Sequence, residues 1–147
     1  MKILDYDLLE NEVIGRLDDF RHLSLATSYK DKVTVRTVYI IQKGMDLYFL
    51  TRKSSTKHKQ IIKNSNIGLC IENIQLEGDA NILGHPSEDK NKDIVDFCIE
   101  HGYEDFKRYM RYKNAVLIHV EPRLITLWKK GSRELLDVKD EKAYRIG

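Results

Sequence analysis

Two cysteines, two prolines, eight glycines and a single tryptophan are all that this 147-residue chain holds of the residues that most often mark a special architecture. Two cysteines cannot staple a domain of this size. Cys70 and Cys98 both sit in apolar stretches and read as buried free thiols of a reducing compartment. The scarcity of proline and glycine excludes a collagen-like repeat and a long flexible linker. No apolar run approaches the ~20 residues that a membrane-spanning helix needs. The opening Met1–Asp7 turns acidic too early for a secretory signal, so a cytoplasmic chain without a membrane partner is expected. An excess of one charge is missing too. Lys+Arg 25 against Asp+Glu 23 leaves a net charge of +2, which argues against a nucleic-acid partner. The five histidines form no HExxH and no close Cys/His set, so no metal site is expected. GxSxG, GxGxxG and GxxxxGK[ST] are absent, and no nucleophile–base set can be assembled; no catalytic residue is assigned.

What is present suits a single domain over residues 1–147. Leu8 to Asp19 carries apolar residues at helical spacing. Leu23, Leu25 and Thr27 then alternate with Ser24 and Ala26 as a strand. Val33 to Ile41 is a β-branched second strand, and Met45 to Thr51 a third. The spacing predicts a short helix over Ser55 to Asn64, strands over Ile67 to Glu72 and Gln75 to Leu83, and a long helical segment over Glu88 to Arg111 that Gly102 can break. Ala115 to Val120 and Leu124 to Trp128 read as a strand pair bent at Pro122, with a last edge strand over Glu141 to Ile146. The rhythm is not βαβ. The expectation is a mainly β domain with flanking helices, its six or seven antiparallel strands closed into a small barrel that leaves no unpaired edge.

Chemistry concentrates between Thr51 and Gln60. The run Thr51-Arg52-Lys53-Ser54-Ser55-Thr56-Lys57-His58-Lys59-Gln60 is rich in basic and hydroxyl side chains and has no acid. At a strand-to-helix passage, such a run suits a phosphate or merely a solvated helix start. Arg36 adds weight to the anion. It stands within the apolar strand Val33 to Ile41, where a charge is expensive unless paired or facing water, and its planar fork matches a phosphate. Trp128 fits a core, an interface or a ring-binding site equally well.

The ordered set Val35-Arg36-Thr37-Val38, Leu47 to Thr51, Ser55-Thr56-Lys57 with Gln60-Ile61, Leu76 to Ala80 and Val120-Glu121-Pro122 to Trp128 resembles the FMN-binding split-barrel proteins related to pyridoxamine 5'-phosphate oxidase, in their small general-stress-protein-like branch. The resemblance spans residues 8 to 130 and implies a split β-barrel with FMN as cofactor. By that resemblance Arg36, Lys57 and Ser55 would hold the FMN phosphate. Thr37, Val38 and Tyr39 would run along the flavin ring, Thr51 would line the phosphate and ribityl region, and Gln60 would reach the polar edge of the ring. It further implies a homodimer with FMN at the subunit interface, Trp128 being one contribution from the second chain. Two departures stand out. Thr56 replaces an arginine frequent in the oxidases, and Ala143 to Gly147 lacks their substrate-gripping Arg-x-His end, so pyridoxamine phosphate oxidation itself is not expected. The resemblance thus implies a flavin-dependent oxidoreductase acting on a small molecule, or a non-catalytic flavin, F420 or haem binding or sensing protein of the same fold.

Overall fold

The computed structural model describes residues 1–102 and 104–147. Strand β1 (Lys2–Leu4) leads into helix α1 (Tyr6–Asp18), which begins where the Asp5 side chain accepts a hydrogen bond from the Leu8 backbone N–H at 3.0 Å. Leu9, Val13 and Leu17, spaced four apart, form its buried stripe. Strands β2 (His22–Tyr29), β3 (Lys32–Tyr39), β4 (Ile41–Lys43) and β5 (Asp46–Arg52) follow, then helix α2 (Thr56–Ile61). Next come β6 (Asn66–Ile71) and β7 (Ile74–Gly84), a 3₁₀ turn (Asp89–Asn91), α3 (Lys92–His101) and α4 (Phe106–Tyr109). Strands β8 (Ala115–Lys129), β9 (Ser132–Asp137) and β10 (Lys142–Ile146) complete the chain. Tyr103, within the expected helical span Glu88 to Arg111, lies outside the described residues.

All ten strands belong to one antiparallel sheet in the order β1-β10-β9-β8-β7-β6-β2-β3, with β5 joined to the first half of β8 and β4 joined to β5. The mainly β character with flanking helices is as expected. The closed barrel is not: the sheet stays open, and it has ten strands instead of six or seven. The cause lies at Ile40. The hairpin around Gly44 pairs β4 with β5 only over Ile41–Lys43. The Ile40 N–H then donates to the Arg21 carbonyl at 2.7 Å, and the chain changes partner. From there β3 pairs with β2 while β5 pairs with β8, and no ladder bridges the gap between them. The three uncounted strands, β1, β4 and β9, are short and carry charge, and only their pairing with β10, β5 and β8 reveals them.

Two other expectations need correction. The bent pair near Pro122 is one 15-residue strand, β8. It absorbs Pro122 at a bulge opposite Gly78, where a Cβ on Gly78 would lie 2.5 Å from the Glu121 carbonyl oxygen. Of the two thiols only Cys98 is buried; Cys70 is exposed on the outer face of the sheet, and both are free.

The inner face of the sheet, with Leu25, Phe49, Leu69, Leu76 and Ile125, packs against α1 and against Ile61 of α2 as the main core. A second cluster lies on the outer face of β5 and β8. There α3 and α4 bring Val95, Cys98 and Phe106 onto Tyr48 and Leu117. Burial in that cluster pushes the Cys98 thiol up to about 12, so it stays protonated and inert.

Candidate functional site

The opening between β3 and β5 is where the unusual charges collect. Alternation along β3 leaves Val33, Val35 and Thr37 exposed and turns Thr34, Arg36 and Val38 inward. Arg36 faces Leu25, and Thr34 faces Thr27, across the β2–β3 ladder. The Arg36 guanidinium donates to the Leu25 carbonyl at 3.2 Å and to Thr27 Oγ1 at 2.8 Å, and its other terminal nitrogen donates to Thr34 Oγ1. Both threonine hydroxyls face Gln60 Oε1, Thr34 at 2.6 Å. Gln60 Nε2 in turn donates to the Lys32 carbonyl at 3.3 Å. Arg36 is thereby held in a fixed pose by neutral acceptors, and one terminal N–H and its Nε–H have no partner among the described residues.

Lys57 lies on the first turn of α2, half-buried. Burial and then the nearby positive charge of Arg36 hold its ammonium below the usual lysine range, and burial alone lowers Arg36. Among the described residues neither cation has a carboxylate partner, and no hydrogen bond engages the Lys57 ammonium. Two partly desolvated cations that repel each other lack the counter-charge that an anion would supply.

The hydroxyls beside them are partly committed. Ser55 caps α2 by accepting from the His58 N–H at 3.2 Å, donates its own proton to the Arg52 carbonyl at 2.8 Å, and lies 2.8 Å from Thr51 Oγ1. With that proton given to Arg52, Ser55 accepts from Thr51, so a phosphate oxygen would have to displace the carbonyl to gain a Ser55 donor. His58, buried beneath this loop, has its pKa lowered by desolvation, and its Nδ1 has no hydrogen-bond partner among the described residues.

The remaining sequence candidates fall into three places. Val38 is buried on the inner side, while Thr37 and Tyr39 lie on the outer side of β3. Tyr39 meets His22 edge-on, with ring centroids 5.2 Å apart. Since β3 has only β2 as a strand neighbour among the described residues, the backbone edge of Thr37–Tyr39 borders the opening. Gln60 is directed into the β2–β3–α2 junction. Trp128 is not brought to the others. It is half-exposed at the far end of β8, under Arg133 and with Nε1 3.3 Å from Gln75 Oε1. Thr51 pairs with Val116, and the twelve steps from Val116 to Trp128 span about 40 Å of strand.

Sequence reasoning missed Thr27 and Thr34, although the Leu23, Leu25, Thr27 alternation already put Thr27 on the inner face. It also missed Tyr109 and Tyr112. These two wall a cavity of about 320 Å³ whose other side is Thr51, Arg52, Ser55 and Lys57. No described group of three His, Cys, Asp or Glu could hold a metal ion, and no described helix is long and apolar enough to cross a membrane.

No protein-family model matches the chain, and no curated protein does. Solved structures do. ChuZ of Campylobacter jejuni aligns with a TM-score of 0.79 at 15% identity, over 98% of this chain and 64% of that one. A Clostridium acetobutylicum protein related to general stress protein 26, of the pyridoxinephosphate oxidase family, gives 0.68 at 12% identity over 94% and 99%. HutZ, the heme storage protein of Vibrio cholerae, gives 0.66 at 14% identity over 78% and 89%. The chain therefore shares its fold with these proteins, among them one described as a member of the pyridoxinephosphate oxidase family.

Proposed function

We propose that this chain binds a phosphate-bearing flavin, FMN in the first instance, in the opening between β3 and β5. The observation that carries this reading is the half-buried pair Arg36 and Lys57, which repel each other and have no acidic partner among the described residues. A phosphate dianion supplies the missing charge, and the free N–H groups of Arg36 and the Lys57 ammonium supply donors for it. The ring would lie along the Thr37–Tyr39 edge, whose backbone groups can meet a flavin's polar rim as a missing strand would. A bound flavin supplies hydride or single-electron chemistry. The chain's own part is to fix the phosphate, present the strand edge and shield the ring. Oxidoreductase activity toward a small molecule is the activity that follows.

A haem-binding role is the second reading, favoured by the fold relatives whose names carry heme, HutZ among them. The visible spectrum of the purified chain separates the two. Two flavin bands retained at one flavin per chain are expected after FMN is added and the excess removed. A Soret band acquired from haem, with FMN washing through, would overturn the flavin reading.

We also assign a second copy of this chain to the outer face of the sheet. Val33 and Val35 are 69% and 68% exposed there, beside the small residues Ser24, Ala26 and Gly68. Such an exposed apolar patch among small residues suits an isologous pairing. Pairing would also give the distant Trp128 its only route to a flavin, the one on the other copy. Sedimentation should show a dimer that Val35→Asp dissociates; a monomeric wild-type chain would remove this assignment.

A further inference from the structure

The anion cradle does not end at Lys57. Thr51, Arg52, Ser55 and Lys57 line one side of the 320 Å³ cavity, and Tyr109 and Tyr112 line the other. The Arg52 guanidinium lies 3.7 Å over the Tyr112 ring, and the Tyr109 and Tyr112 ring centroids are 6.0 Å apart at 41°. Both tyrosines keep more than a third of their surface open to solvent. Stacking uses the flat face of a guanidinium and leaves its in-plane N–H groups for oxygen acceptors. The cavity thus offers a third cation and aromatic surface on the side of the phosphate site away from the β3 edge.

A cavity of this size holds one ring-sized group with its linker. It is too small for a flavin ring as well, which has the strand edge for its place. We infer that the cavity is a subsite for the adenylyl group of a flavin dinucleotide. Lys57 and Arg52 share the diphosphate, and the purine stacks against the Tyr109–Tyr112–Arg52 platform. The inference rests on the flavin-phosphate reading above and goes beyond it, since FMN leaves this cavity empty.

Titration of the full chain with FAD, FMN and riboflavin, followed by flavin fluorescence, tests it. FAD is expected to bind at least about tenfold tighter than FMN, in keeping with the worth of one base–aromatic stack. Tyr112→Ala should abolish that advantage while leaving FMN within about twofold, because the phosphate cradle is untouched. Tyr112→Phe should preserve it. Arg52→Gln provides a second variant, one that keeps the aromatic wall, and should cut FAD more than FMN. Equal affinity for FAD and FMN, or equal losses for both in Tyr112→Ala and in Arg52→Gln, overturns the subsite and leaves the FMN site standing. Failure of both FMN and FAD to bind the wild-type chain overturns the phosphate site and this inference together.

Discussion

Lys57→Ala and Arg36→Ala should each weaken FMN by roughly 10- to 100-fold and leave riboflavin nearly unchanged. A hydrogen bond to a charged group is worth about 1.5–3 kcal/mol, and each variant removes one charged donor set from the same phosphate. Riboflavin has no phosphate and acts as the internal control. The loss should also shrink as salt rises, since part of it is charge attraction at a partly open site. The two variants differ in the ligand-free protein. Lys57 makes no described hydrogen bond and is repelled by Arg36, so Lys57→Ala is expected to leave stability unchanged or raise it slightly. Arg36 is tied to Leu25, Thr27 and Thr34, so its removal takes the charged donor from a carbonyl and two hydroxyls that keep only Gln60 and each other as partners, and should cost stability. Arg36→Lys keeps the charge but cannot hold both threonines and a phosphate edge, so its FMN affinity should fall between wild type and alanine. Titrations in which riboflavin and FMN lose equally would remove the phosphate from this site.

That pair of cations was legible in the sequence for a simple reason. An arginine in a β-branched strand and a hydroxyl-rich basic run without acids both violate the usual economy of charge. Period-2 alternation put Arg36 on the face opposite Val35, and the serine cap located the start of α2 to within one residue. The opening itself was not legible. Val33 to Ile41 is uniform in composition, so nothing local marks Ile40 as the residue where the chain changes neighbours. That switch is decided by the Arg21 carbonyl and by β8, a strand more than 70 residues away. The tyrosine wall was hidden for a related reason. Tyr109 falls on the apolar stripe of the segment expected to be helical to Arg111, and Tyr112 lies just past its end. Helix α3 ends at Gly102, where a Cβ would meet the Cys98 carbonyl at 2.4 Å, and the separate short helix α4 carries Tyr109 beside Tyr112 and Arg52. Cys70 was misplaced because Ile67 to Ile71 looks apolar throughout, although its alternate residues face outward.

The largest effect on stability should come from a residue far from the site. Glu134 is buried, and its carboxylate takes 2.7 and 2.9 Å hydrogen bonds from Arg145 and a 2.7 Å contact from Lys129. Lys129 reaches on to Glu12 of α1 at 3.0 Å. One carboxylate thus joins β8, β9 and β10 and, through Lys129, the helix that covers the core. Burial pushes the Glu134 pKa up, but the hydrogen bonds and charges of Lys129 and Arg145 outweigh it and hold the group below its ordinary value. Removing one partner of a buried pair costs about 3–5 kcal/mol. Here the two cations are 36% and 37% exposed and can rehydrate, so Glu134→Ala should cost about 2–3 kcal/mol at neutral pH. The sign of the pH dependence follows from the lowered pKa. Stability from this carboxylate is fully present above its unfolded value of about 4.3 and is lost as pH falls through the lower folded value. The gap between the urea midpoints of wild type and Glu134→Ala should therefore be constant above the unfolded value of about 4.3 and narrow steadily as pH falls below it. A gap that did not narrow there would mean that packing around Glu134, rather than its charge, joins the three strands.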